Sequence, residues 1–145
     1  MAALKTHVSL AVNDLSQSVA FYQAMFGVQP VKHKADYAKF DIDAPGLNLA
    51  LNQRQAPVPY SISGTDRHLS HLGIQVESTA EVQGAIARFK TAGLATFEEA
   101  DTDCCYALQD KVWVTDPDGN RWEIFVVKVA DTDSAVTATP VGCCG

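Results

Sequence analysis

The chain repeats itself, and the repeat limits what it can fold into. His7-Val8-Ser9-Leu10-Ala11-Val12 places Val8, Leu10 and Val12 on one side and His7, Ser9 and Ala11 on the other, the period-two pattern of a half-buried strand. An offset of 64 residues (71 minus 7) brings the pattern back as His71-Leu72-Gly73-Ile74-Gln75-Val76. A helix follows each strand. Asn13-Asp14 caps one in which Leu15, Val19, Tyr22 and Phe26 recur at helical spacing before Gly27. Ser78-Thr79-Ala80-Glu81 is a capping box for the other, with Val82, Ile86 and Phe89 inward and Gly93 at its end. Three strands are then expected in each copy, over 29–34, 37–43 and 47–51 and over 95–99, 107–115 and 121–127. Asp116-Pro117-Asp118-Gly119 is the turn between the last two.

A duplicated β-α-β-β-β unit repeats its geometry along with its sequence. The expected fold is therefore α+β, built from two βαβββ modules, module 1 over 4–52 and module 2 over 68–128. Each module packs the apolar side of its first strand under its helix. The other side, carrying His7 or His71, turns toward a shared concave cup, the geometry of a ligand pocket. The stretch 53–67 contains Pro57, Pro59 and Gly64 without periodicity and reads as a linker. Residues 1–128 form a single domain on this reading, and 129–145, polar and rich in Ala and Thr, form a mobile tail.

Charge and cysteine usage narrow the partners. A net charge of −6, a pI near 5.0 and no Lys/Arg cluster argue against nucleic acid. Residues 1–6 lack a signal-peptide core, and no apolar run is long enough to span a bilayer, so no membrane partner and a cytoplasmic location are expected. All 4 cysteines come as adjacent pairs, Cys104-Cys105 and Cys143-Cys144. A disulfide framework would spread them to staple distant elements, so this spacing fits a reduced compartment.

Two histidines at repeat-equivalent places invite a third metal ligand. In Arg121-Trp122-Glu123-Ile124-Phe125-Val126, alternation separates Glu123 and Phe125 from Trp122, Ile124 and Val126. Counted from Gly119 and Gly46, Glu123 takes the repeat position of Ala50, so the two copies offer two imidazoles and one carboxylate rather than four ligands. Such a set leaves coordination positions open for oxygen or substrate. A lone strand histidine is more often core or surface than ligand; the repeat and the third donor reverse that weighting. His68, three residues from His71, points to the opposite face, and His33 has no repeat partner.

Cys104 and Cys105 could be small buried residues or a vicinal disulfide, since free cysteine packs well in cores. The flanking Asp101-Thr102-Asp103 is polar, however, and 101–106 reads as a loop carrying two thiols that suit thiophilic ions. Tyr106 and Lys111 follow the pair and could orient substrate; the blander assignment packs Tyr106 on the sheet and leaves Lys111 solvated. Cys143 and Cys144 form a second pair that delivers or stores such ions, or does nothing.

The repeat with His7, His71 and Glu123 resembles the vicinal oxygen chelate superfamily of glyoxalases, extradiol dioxygenases and antibiotic-resistance proteins. More narrowly, Asp36-Tyr37-Ala38-Lys39-Phe40, His71 to Ser78, Cys104-Cys105-Tyr106-Ala107 and Trp113 to Gly119 resemble the ArsI/CadI group of organoarsenical carbon–arsenic lyases and cadmium-induced proteins. The resemblance spans about residues 4–127. It implies iron(II)- and O2-dependent cleavage of the carbon–arsenic bond in trivalent organoarsenicals, with Cys104 and Cys105 holding arsenic and the triad holding Fe(II) or another divalent metal. Some members carry glutamine where this chain has His7. Two other classes stay open: a binding protein that sequesters cadmium or a drug, and a glyoxalase-type metal-dependent isomerase or thiol transferase. A homodimer is equally compatible with the sequence.

Overall fold

Asp14 stands in extended backbone with its carboxylate accepting the Gln17 backbone N–H, and Gly27 closes the helix behind it at φ 69°. In the second copy Ser78 and Glu81 exchange side-chain and backbone hydrogen bonds as a full capping box. These local signals start both helices where the sequence places them. The computed structural model describes residues 2–59, 69–104 and 107–129. Its first repeat runs β1 (Thr6–Val12), α1 (Leu15–Phe26), β2 (Lys32–His33), β3 (Tyr37–Ile42) and β4 (Leu47–Gln53). The second runs β5 (Leu72–Gln75), α2 (Thr79–Thr91), β6 (Thr96–Cys104), β7 (Ala107–Thr115) and β8 (Arg121–Val129).

Both sheets share one topology, β1-β4-β3-β2 and β5-β8-β7-β6. In each, the first and last strands pair in parallel. The α+β class and the duplicated module are thus observed. Chain contacts define two compact units, Met1–Ile62 with Asp116–Gly119, and Ser63–Thr115 with Asn120–Gly145. In unit 1, Tyr22 and Met25 of α1 are buried, as are Val12, Phe40, Leu49 and Leu51 of its sheet. In unit 2 the buried set includes Val82, Ile86 and Phe89 of α2 with Val112, Val114, Trp122 and Ile124. No described helix is long and apolar enough to cross a membrane.

Three boundaries differ from expectation. Strand β2 keeps only two residues. Strand β4 continues through Gln53, whose side chain accepts the Leu15 N–H at 2.8 Å and donates to the Asn13 carbonyl at 2.7 Å. The third difference corrects the reading of 101–106 as a loop, because residues 101–104 belong to β6. The β6–β7 register steps from Glu99↔Lys111 to Thr102↔Gln109, so one extra residue is absorbed as a bulge. Asp101 takes φ 51° there, and its N–H donates to Asp110 Oδ1 at 2.8 Å. Polar residues can therefore continue the strand, because the backbone donor freed by the bulge is met by a buried carboxylate. Cys105, Tyr106, Cys143 and Cys144 lie outside the described residues.

The turn of the second repeat is held in unit 1. Asp118 N–H donates to Asp116 Oδ1, and Gly119 N–H to the Asp116 carbonyl, with Gly119 at φ 85°. Tyr22 Oη donates to the buried Asp116 Oδ2 at 2.5 Å, Asn13 N–H to Asp118 Oδ1 at 2.8 Å, and Ser18 Oγ to Asp118 Oδ2 at 3.3 Å. Tyr22→Phe removes a donor to a buried carboxylate and should cost about 1–3 kcal/mol, measured by urea unfolding at neutral pH.

Asp110 gives a second prediction. The Asp101 N–H, then the Thr79 hydroxyl and Lys128, hold its carboxyl below the ordinary carboxylate range against the opposing effect of burial. A lowered folded value means that its stabilisation is present above about pH 4 and fades as pH falls through the folded pKa. The melting-temperature gap between the native protein and Asp110→Asn should therefore be full at pH 7 and shrink steadily below pH ~4.

Candidate metal centre

Strand alternation on β7 and β8 puts Lys111, Trp113, Glu123 and Phe125 on the sheet face opposite the helix. The register sets Glu123 directly across from Trp113 on one side and Gly73 on the other. Glu123 is 8% exposed and Lys111 only 2%. Lys111 Nζ donates to Glu123 Oε2 at 3.0 Å and lies 5.5 Å from the Trp113 ring centre and 5.9 Å from that of Phe125. A lysine taken for a solvated strand residue is thus a buried cation with one carboxylate partner and two aromatic walls.

The other carboxylate oxygen faces His71, which ends the approach to β5. Glu123 Oε1 stands 3.6 Å from His71 Nε2, and His71 Nδ1 is 2.9 Å from Ser70 Oγ. The imidazole meets Trp113 edge-on at 5.1 Å. Trp113 is fixed in turn by its indole N–H, which donates to Glu99 at 2.8 Å, and by Arg121, whose guanidinium lies 4.5 Å from its ring centre.

Gly73 makes room for this arrangement. A Cβ there would come within 3.0 Å of both Cγ and Oε1 of Glu123 and 3.2 Å of a Phe125 ring carbon. The glycine matters for the space it leaves, and the carboxylate lies over it toward His71. An ion ligated at about 2.1 Å by one nitrogen and one oxygen separates them by roughly 3.0–3.6 Å over cis to trigonal angles. His71 and Glu123 fit that requirement. Ser70 accepting from Nδ1–H would leave the Nε2 lone pair for a metal.

Of the residues singled out from sequence, His71, Glu123 and Lys111 are brought together in unit 2. His7 belongs to unit 1, exposed on β1 and registered with Asn48, whose Oδ1 is buried without a hydrogen-bond partner. Among the described residues no three of His, Cys, Asp and Glu cluster closely enough to hold an ion. The repeat relation is exact in register, since Ser9 pairs with Ala50 as Gly73 pairs with Glu123. Cys104 is the last residue of β6, registered with Ala107. Ser70, Gly73, Glu99, Trp113 and Arg121 were not picked out as site residues; for Trp113 the Lys111-Val112-Trp113 alternation across from Glu123 was the available signal.

The sequence pattern of the Glyoxalase/Bleomycin resistance protein/Dioxygenase superfamily matches residues 6–124. The chain belongs to this superfamily. A crystal structure of a glyoxylase/bleomycin resistance protein/dioxygenase domain from Frankia sp. EAN1pec shares the fold, with TM-score 0.69 and 20% identity over 88% of this chain and 100% of that one. A protein of Bacillus sp. (strain MD1) named "Trivalent organoarsenical cleaving enzyme" is 45% identical over 95% of this chain and 81% of its own length. Another relative, "Cadmium-induced protein CadI" of Mycobacterium bovis, is 42% identical over 90% of this chain and 80% of its own. Within the superfamily, metal dependence on a divalent ion is typical, and the His71–Glu123 pair is the feature here that matches it.

Two substitutions probe the pair. Gly73→Ala should displace the Glu123 carboxylate and weaken divalent-metal binding by about ten-fold or more, read by chelator competition. Glu123→Ala should strand Lys111 as a buried charge and destabilise by about 3–5 kcal/mol, whereas Glu123→Gln should cost clearly less. This corrects the expectation that removing a metal ligand here leaves stability untouched.

Proposed function

We propose that this protein cleaves the carbon–arsenic bond of trivalent organoarsenicals in an iron(II)- and O2-dependent reaction. On this reading His7, His71 and Glu123 hold the iron, and Cys104 and Cys105 hold the arsenic. The observation that carries it is 45% identity, over nearly the whole chain, to a protein named for organoarsenical cleavage. The 3.6 Å approach of His71 and Glu123 supports a metal at their side of the sheet.

The division of labour follows from the side chains. His71 donates Nε2, with Ser70 fixing the tautomer. Lys111 occupies Oε2 of Glu123, so the carboxylate offers Oε1 alone and binds through one oxygen. His7 supplies the third donor because it is the repeat equivalent of His71. Bound iron(II) would supply the electrons that activate dioxygen, with open positions on its far side. The two thiolates fix thiophilic arsenic(III) and leave its organic substituent free. Trp113, Phe125 and the Lys111 cation form the wall of the site beside Glu123. Free thiols require a reduced setting, which the cytoplasm provides.

A second reading, capture of cadmium or an arsenical without turnover, is favoured by the cadmium-induced relative; it needs the thiols but not the triad. One experiment separates the two. Protein loaded anaerobically with iron(II) is exposed to air and methylarsenite, and inorganic arsenite is measured. Arsenite should form with the native protein, and not without iron, without oxygen or with Glu123→Gln, which should still bind the arsenical. Full arsenical resistance in cells carrying Glu123→Gln would make the protein a sequestering one.

A further inference from the structure

Strand β7 is flanked by two bulges, and their extra residues meet. On one side β6 gains a residue between Glu99 and Thr102. On the other, Leu108↔Val129 steps to Gln109↔Val127, so Lys128 is the extra residue of β8. Lys128 Nζ contacts Asp101 Oδ1 at 2.5 Å and Asp110 Oδ1 at 3.2 Å. Asp110, 5% exposed, also accepts the Asp101 N–H at 2.8 Å and the Thr79 hydroxyl at 2.7 Å. One buried carboxylate thus binds the backbone of the first bulge, the ammonium of the second and the first turn of α2.

The β6 bulge decides the phase of everything after it. Side chains alternate faces along a strand, so one added residue exchanges them. Carried on from Glu99↔Lys111 without the bulge, the register would put Asp103 opposite Ala107. With it, Cys104 is opposite Ala107. Ala107 alternates onto the face of Lys111 and Trp113, the face of Glu123, while Asp110 points to the helix side. The bulge therefore brings position 104 to the metal-side face.

A left-handed φ of 51° at Asp101 is costly for a residue with a Cβ and persists where surrounding contacts enforce it. We propose that Asp110 and Lys128 are positioning residues for arsenical capture, which hold the two bulges and thereby set the sheet face on which the cysteine-bearing end of β6 arrives. This rests on the reading of Cys104 and Cys105 as the arsenic ligands. Both residues act through the backbone of β6 and touch neither substrate nor metal.

The test titrates the full-length protein with a trivalent phenylarsenical, read by thiol loss, and measures iron(II) affinity separately by chelator competition. Lys128→Met removes an exposed ammonium and should fold. It should weaken arsenical binding about ten-fold, the scale of a lost charge-assisted contact, and leave iron(II) affinity unchanged. Adding Asp101→Gly, which accepts positive φ without strain, should restore most of that loss. Deletion of Ala100, which removes the extra residue, should abolish tight arsenical binding with iron(II) affinity retained. A purely structural cluster would lower the melting temperature while arsenical affinity stayed native, and that result overturns the proposal. If Cys104→Ser and Cys105→Ser leave the native affinity unaltered, the cysteine reading falls and the proposal with it.

Discussion

The buried ion pair between Lys111 and Glu123 is the interaction on which the rest of this face depends. A carboxylate that is 8% exposed is costly unless a cation meets it, and Lys111 does so from below the aromatic rings of Trp113 and Phe125. The pair keeps one oxygen of Glu123 engaged and leaves the other facing His71. Remove the lysine and the carboxylate has reason to take up a proton or swing toward solvent. The ammonium is thus part of the ligand geometry even though it donates nothing to a metal.

Around that pair the strands act as rulers. Gly73 opposite Glu123 gives the carboxylate its room, Trp113 opposite Glu123 gives His71 an edge to lean on, and Ser70 meets the far nitrogen of the imidazole. Each contact is short range, and each follows from the β5–β8–β7 register. Register errors of one residue would send Glu123 to the helix side. The core residues Val112, Val114, Trp122 and Ile124 prevent this, because the same slip would carry them out to solvent.

Much of this was readable in the chain. The repeat, both helix starts, and the equivalence of Ala50 and Glu123 rest on alternation and capping, which are local and strong. The hidden features are those in which a polar residue is satisfied by something distant in sequence. Lys111 reads as solvated until its partner 12 residues on is known. Asp101-Thr102-Asp103 reads as a loop because nothing nearby announces that Asp110 and Lys128 will absorb the extra residue. Gly73 reads as a small residue on the histidine face, and only the position of Glu123 shows that its missing Cβ is the point.

The turn at Asp116–Gly119 has a consequence for how the protein is made. Its residues are bonded to Asn13, Ser18 and Tyr22 in the N-terminal unit, although they emerge from the ribosome about a hundred residues later. The first unit therefore cannot finish while it is being synthesised ahead of the second, as N-terminal domains ordinarily do. Until residue 119 leaves the exit tunnel, Tyr22 lacks its carboxylate and the start of α1 lacks Asp118. The two halves of the duplication mature together, late, and a nascent chain stalled before that turn would present an unfinished N-terminal unit to chaperones and proteases.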